Sequence, residues 1–268
     1  MPMKLKKRIA ARLSKNIHAL RLLNLYRLTV RVLRTGAYYT RSFFYLPDKK
    51  LLYLSISKVG NTSIKASMYN LAEGDSYRDI HTKVNQLHVS GRIRNMDKFQ
   101  DFYKFTFVRN PFQRLVSCYE NKLHTDQAEV GESISFLIYD AYLLGFLSKD
   151  RGFSSFARRV CMIHDRIADR HFASQSIGAL GPDGRLALDY VGKMERMNAD
   201  YEPLRQRFGL APLPHYNKTK KEKNWMDYYD EKTARRVCRR YRTDIEVFGY
   251  QGVYDELISY IKARDVGA

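Results

Sequence analysis

Residues 51–65 read LLYLSISKVGNTSIK, and their reading decides the fold. The apolar run LLYLSI gives way to a short polar loop with one lysine and one glycine. The pattern then turns helical over TSIKASMYNLA (62–72). A short buried strand, a glycine-bearing loop and a helix in that order open a βαβ unit. Gly60 lets the backbone turn tightly and approach a ligand. The amides of Gly60, Asn61, Thr62 and Ser63 then point outward at a helix N-terminus, where an anion is stabilised. Thr62 and Ser63 can cap the helix or give hydroxyls to phosphate oxygens, and Lys58 adds a mobile positive charge. The predicted anion-binding segment is therefore Lys58, Val59, Gly60, Asn61, Thr62 and Ser63. An ordinary capped strand-to-helix turn has the same local pattern. The loop is not the nucleotide loop G-x-x-x-x-G-K-[ST], because its lysine precedes its glycine.

Further strands and helices alternate along the chain. YRDIH (77–81) reads as a second strand and FYKFTFV (102–108) as a third, followed by the helix PFQRLVSCYENKL. A largely helical stretch covers about 133–173. RLALDYVGKME (185–195) supplies another strand and ADYEPLRQRF (199–208) a helix closed by Gly209, with two helical stretches in the tail. Alternation of this kind predicts an α/β chain: a three-layer, P-loop-NTPase-like fold whose central parallel sheet is flanked by helices. Ligands of such sheets bind beyond the C-terminal strand ends, which places the loops after Ile56 and Val108 at the site.

The second constellation is FVRNPFQRLVS (107–117). Asn110 suits an N-cap and Pro111 the first helical position. At about 100° per residue, Asn110, Arg114, Ser117 and Asn121 share one stripe, and Phe112, Leu115, Val116, Tyr119 and Leu123 the opposite one. The apolar stripe is core. The polar stripe carries donors suited to a phosphate, although a solvent-facing surface has the same pattern. Arg109 arrives directly from the end of a buried strand, where a magnesium-binding acid would stand in a nucleotide kinase. A second cation there implies a second anionic group on the ligand and no metal.

The pairing of these two motifs resembles the cofactor motifs of sulfotransferases, and FVRNPFQRLVSCYENKL is most similar to the family-2 carbohydrate sulfotransferases. DRHFASQ (169–175), DYVGKMERMNADYEPL (189–204) and YRTDIEVFGY (241–250) match the same pattern, so the resemblance runs from about Leu51 to Tyr250. It implies a 3′-phosphoadenosine-5′-phosphosulfate (PAPS) dependent O-sulfotransferase with a carbohydrate or glycolipid acceptor. Lys58 and its loop would hold the 5′-phosphosulfate; Arg109 and Ser117, with Arg114, would hold the 3′-phosphate. The Lys-rich NKTKKEK (217–223) would bring Lys218 and Lys220 to the same phosphate, or remain a solvated loop. His81 is the expected base, with Asp79 and His88 as rivals, and His171 is expected to be structural. Trp225, Tyr228 and Tyr229 could stack on a ring, but packing is the commoner use of such residues. Two other classes compete: a P-loop-type nucleotide kinase and a non-enzymatic polyanion binder.

Composition bounds these readings. The 268 residues carry 47 Lys and Arg against 28 Asp and Glu, a formal charge of +19 that favours anionic partners. Thirteen of the basic residues lie in 1–50, against one acid, Asp48. With Leu5, Ile9, Leu13, Ile17, Leu20 and Leu23 at helical spacing, this segment reads as a basic, mostly helical extension to a catalytic domain at 51–268. It would rest on anionic membrane or pack on the domain with a solvated basic face. No nucleic-acid motif appears. Cys118, Cys161 and Cys238 are scattered, without metal spacing or a disulfide pattern. No run reaches the ~20 apolar residues of a membrane span. A cytoplasmic, membrane-peripheral protein is expected; set beside the family resemblance, this implies a bacterial or otherwise cytoplasmic relative.

Overall fold

The computed structural model describes residues 16–37, 41–70, 88–91, 99–120, 142–147, 152–181, 183–214 and 224–266. Among these residues the sheet holds five strands: β1 (Arg41–Leu46), β2 (Leu51–Ser55), β3 (His88–Gly91), β4 (Tyr103–Val108) and β5 (Tyr190–Lys193). Their spatial order is β3-β1-β2-β4-β5. β2, β4 and β5 run parallel, with Leu54 opposite Thr106 and Val108 opposite Lys193.

The helices explain why β2 is buried throughout. They are α1 (Ile17–Thr35), α2 (Asn61–Met68), α3 (Pro111–Tyr119), α4 (Gly152–Met162), α5 (Ser176–Ala179), α6 (Met197–Phe208), α7 (Glu231–Arg240), α8 (Arg242–Phe248) and α9 (Gln251–Val266). All five β2 residues are buried. Successive strand side chains face opposite sides of a sheet, so both faces must be covered. On one face, Tyr53 bonds Asn61 of α2 and stacks on Phe105, while Phe107 lies 6.0 Å from Tyr201 of α6. On the other, Leu54 packs under Gly178 of α5, where an added Cβ would meet it at 3.1 Å. This is the three-layer α/β class expected from the sequence.

Two details differ from that expectation. The sheet is mixed, because β1 pairs antiparallel with both β2 and β3. β1 also lies before residue 51, inside the segment read as an extension, yet Phe43 and Phe44 are core residues. Only the 3-10 turn Pro47–Lys49 and Lys50, in the left-handed region at φ 45°, join β1 to β2. Such a link is too short for a parallel crossover and leaves only a hairpin. The strand expected at 77–81 lies outside the described residues. Of the stretch expected to be helical, α4 is regular, whereas 163–175 forms turns. The tail folds as three helices, with a break at Tyr241 and a left-handed Gly249 between them.

Candidate functional site

β2 and β4 are neighbours, so the loops that leave their C-terminal ends start side by side. The first is built to expose its backbone. Lys58 stands at φ 71° and Gly60 at φ 79°, both in the left-handed region. Gly60 is the N-cap of α2 and supplies no side-chain cap. A Cβ there would lie 2.4 Å from Met197 Cε, so the glycine also permits close packing on α6. Ile64 is the first residue whose amide bonds back, to Gly60 O at 3.2 Å. Among the described residues, the amides of Gly60, Asn61, Thr62 and Ser63 have no acceptor, and the Thr62 and Ser63 hydroxyls make no hydrogen bond. Asn61 pins the loop instead: its Oδ1 accepts from Tyr53 and Ser55 hydroxyls, and its Nδ2 donates to Ile56 O. Four outward amides and two open hydroxyls at a helix N-terminus make an anion cradle.

The second loop is the turn Arg109–Asn110. Asn110 caps α3 by accepting from Phe112 N at 2.9 Å, with Pro111 at the first helical position. The surrounding backbone is fully held. Gln175 Oε1 accepts from Arg109 N at 3.0 Å while Gln175 Nε2 donates to Arg109 O at 2.8 Å. Glu195 Oε1 accepts from Asn110 N at 2.6 Å, and its Oε2 accepts from Tyr250 Oη at 3.0 Å. Gln175 is fixed in turn by Asp244, which is wholly buried and accepts from the amides of Gln175 at 2.9 Å and Ser176 at 2.8 Å. Burial pushes the Asp244 carboxyl above its ordinary range, against the pull of those donors.

Two arginines tie this turn to the first loop. Arg109, only 8% exposed, directs Nη1 at Lys58 O across 3.5 Å. Arg114 donates from Nε to Ser57 O at 3.0 Å, from Nη1 to Ala173 O at 2.9 Å and from Nη2 to Arg170 O at 3.2 Å. The helical spacing predicts an outward polar stripe for Arg114, with a ligand contact or a solvated side chain. Arg114 is instead buried, and each of its three nitrogens donates to a backbone carbonyl, so it positions the loop. Ser117, one turn further along α3, is half-buried, and its hydroxyl makes no hydrogen bond among the described residues.

The segment 163–175 that receives Arg114 is itself clamped. Arg240 donates to Asp165 and, at 2.8 Å, to Ser174 Oγ, and Asp165 accepts from Ser174 N at 3.0 Å. His171 bonds Asp169 at 2.6 Å, in a structural setting. Tyr229 is buried and donates to Phe112 O, while Trp225 meets it edge-on at 6.3 Å; these aromatics pack the core. His81, Asp79, Lys218 and Lys220 lie outside the described residues, as does Asn121. His88 stands in β3, in register with Phe44.

Sequence reasoning gave no role to Gln175, Glu195, Asp244 or Tyr250, although each lies in a segment that matched the family pattern. It also passed over Lys65. This lysine is 5% exposed, with Nζ 3.8 Å from the centroid of the Phe44 ring. Burial, with a smaller contribution from Arg170, lowers its amine from 10.5 to about 7. A lysine on the inward side of a helix was the available signal.

The profile of the Sulfotransferase family matches residues 41–251. Carbohydrate sulfotransferase 11 of Rattus norvegicus is 34% identical over 85 residues, 28% of this chain and 24% of that protein. Carbohydrate sulfotransferase 10 of Xenopus laevis is 25% identical over 238 residues, 77% of this chain and 67% of that protein. Carbohydrate sulfotransferase 9 of Homo sapiens is 26% identical over 239 residues, 81% of this chain and 52% of that protein. The chain thus spans about a quarter of the rat relative and half of the human one. No solved structure matches it.

Proposed function

Because the chain belongs to the Sulfotransferase family, we propose that it transfers a sulfuryl group from PAPS to a hydroxyl of a carbohydrate or glycolipid. The observation that carries this reading is the junction of the two loops. Arg109 and Arg114 reach the carbonyls of Lys58 and Ser57, beside four amides that have no acceptor among the described residues. An anion cradle and an adjoining arginine fit a donor with anionic groups at both its 5′ and 3′ positions.

The amides of Gly60–Ser63 and the Thr62 and Ser63 hydroxyls would hold the 5′ end, and Arg109 with Ser117 the 3′-phosphate. PAPS, when bound, supplies an activated sulfuryl group. Lys58 lies in the cradle's own turn, where its ammonium group neutralises charge that develops during transfer. Positioning and charge stabilisation are what the residues offer, as in phosphoryl transfer. His81 is the base this reading assigns to the acceptor hydroxyl, with Asp79 and His88 as alternatives; Lys218 and Lys220 would close over the 3′-phosphate. A cytoplasmic setting belongs to the same proposal.

The direct test is formation of 3′-phosphoadenosine 5′-phosphate from PAPS, in chelator, across a panel of glycan and glycolipid acceptors. Acceptor-dependent product is expected. Turnover of ATP with magnesium, and none of PAPS, would replace the reading with a kinase.

A further inference from the structure

α1 has defined ends and three distinct sides. Asn16 caps it, accepting from His18 N at 3.0 Å and Ala19 N at 3.2 Å, and Gly36 closes it in the left-handed region with a bond to Val32 O at 2.8 Å. One side packs on the domain. Leu28 is 8% exposed, Val32 lies against the core, and the Arg21 guanidinium reaches Gly145 in the 3-10 turn Tyr142–Gly145. A second side is apolar and bare: Leu22 is 65% exposed, Tyr26 67% and Leu33 80%. At about 100° per residue these three fall within roughly 40° of one another. The third side carries the exposed arginines: Arg34 and Arg27 stand about 80–100° round the helix from Tyr26, within reach of the bare stripe's flank, and Arg31 lies about 140° away. The 19 residues contain no acid.

We propose that this bare face of α1 docks on an anionic lipid surface, with the helix lying flat in the headgroup plane. Leucines and a tyrosine facing one way with arginines beside them are the arrangement of an interfacial helix. Charge selects this occupant. Residues 1–50 carry thirteen Lys and Arg against one acid, so a second copy of the chain would bring like charge to the same face. An acidic glycan would satisfy the arginines but has no apolar body to cover Leu22 and Leu33.

The fold gives the docking a consequence. β1 begins where β2 ends, with Ser42 opposite Ser55, so the chain leaving α1 enters the sheet at the edge that carries the two loops. Four residue steps from Ala37 to Arg41 span at most ~14 Å. Arg166, from the clamped 163–175 segment, also donates to Gly36 O at 3.3 Å. A membrane-bound α1 therefore holds the candidate site close to the lipid surface, where a lipid-linked acceptor would stand.

The test is flotation of the full chain with phosphatidylcholine vesicles, with or without phosphatidylglycerol. Binding is expected only to the anionic vesicles and should weaken as salt rises. The triple variant Leu22→Ser, Tyr26→Ser, Leu33→Ser should lose at least tenfold in vesicle affinity while its melting temperature and bisphosphate binding stay unchanged. Equal binding by the triple variant would overturn the proposal, since charge alone would then suffice. So would absence of binding to anionic vesicles, or a wild-type dimer in light scattering that the triple variant abolishes. The bisphosphate arm is read separately, so failure of the donor assignment is not confused with failure of the docking surface.

Discussion

The loop at 57–63 and the turn at 109–110 leave adjacent parallel strands and both lead into helices, but they use the peptide chain in opposite ways. In the first, the backbone would be the binding group: four amides have no acceptor among the described residues, and side chains do the pinning, Asn61 from within the loop and Arg109 and Arg114 from across it. In the second, Gln175 takes both Arg109 N and Arg109 O, Glu195 takes Asn110 N, and Arg114 N donates to Asn110 O at 2.8 Å. With its backbone satisfied, the second turn has only its side chain to offer. A site that binds with amides must keep them open; a site that binds with one arginine must immobilise what carries it.

The largest expected effect removes the only lysine of the open loop. Lys58→Ala should lower kcat by about 10²–10³-fold, the scale for losing one charge-stabilising group, with a smaller change in bisphosphate affinity. Unchanged turnover in a donor-saturated assay would take Lys58 out of the chemistry. Gln175→Leu attacks the pinned turn. It strands two buried backbone groups, at about 1–3 kcal/mol each, so denaturant unfolding should show a loss of roughly 2–6 kcal/mol. Affinity for the bisphosphate should fall with it. A variant of wild-type stability would mean that Arg109 is held by something other than the Gln175 clamp.

These expectations also mark what was legible in the sequence. The cradle could be read because its parts are contiguous: a strand, a glycine and a helix start within a dozen residues. The cap at Asn110 and Pro111 is local for the same reason. The clamp was not legible, because Gln175 and Glu195 reach the turn from 66 and 85 residues away, and a glutamine carries no local sign of a partner. Arg114 lay on the correct helix stripe, but periodicity does not say whether a polar stripe meets solvent or a buried row of carbonyls. β1 was hidden by the charge of its surroundings, although FFYL is an apolar run that a two-sided strand requires.

A smaller effect tests the buried amine beside the cradle. Lys65 has a pKa of about 7 in the folded protein and 10.5 as its reference. Between these values the unfolded chain binds a proton that the folded chain does not, so this group makes stability rise with pH across that window. Below about 7 both forms are protonated and the whole penalty remains; above 10.5 it is gone. Lys65→Met should therefore raise the melting temperature most at pH 6, with an advantage that shrinks steadily as the pH is raised from 7 towards 10.5. A pH-independent difference would show that the amine is not held neutral by burial.

The central claim is that Arg109 reads a 3′-phosphate next to a cradle that holds the 5′ end. Titration calorimetry in metal-free buffer tests it directly, with 3′-phosphoadenosine 5′-phosphate and adenosine 5′-monophosphate on the wild type and on Arg109→Ala. The wild type should prefer the bisphosphate by at least tenfold, and Arg109→Ala should bind the two nearly equally while still binding both. A wild type that does not distinguish them, or a preference that survives the loss of Arg109, would contradict the account.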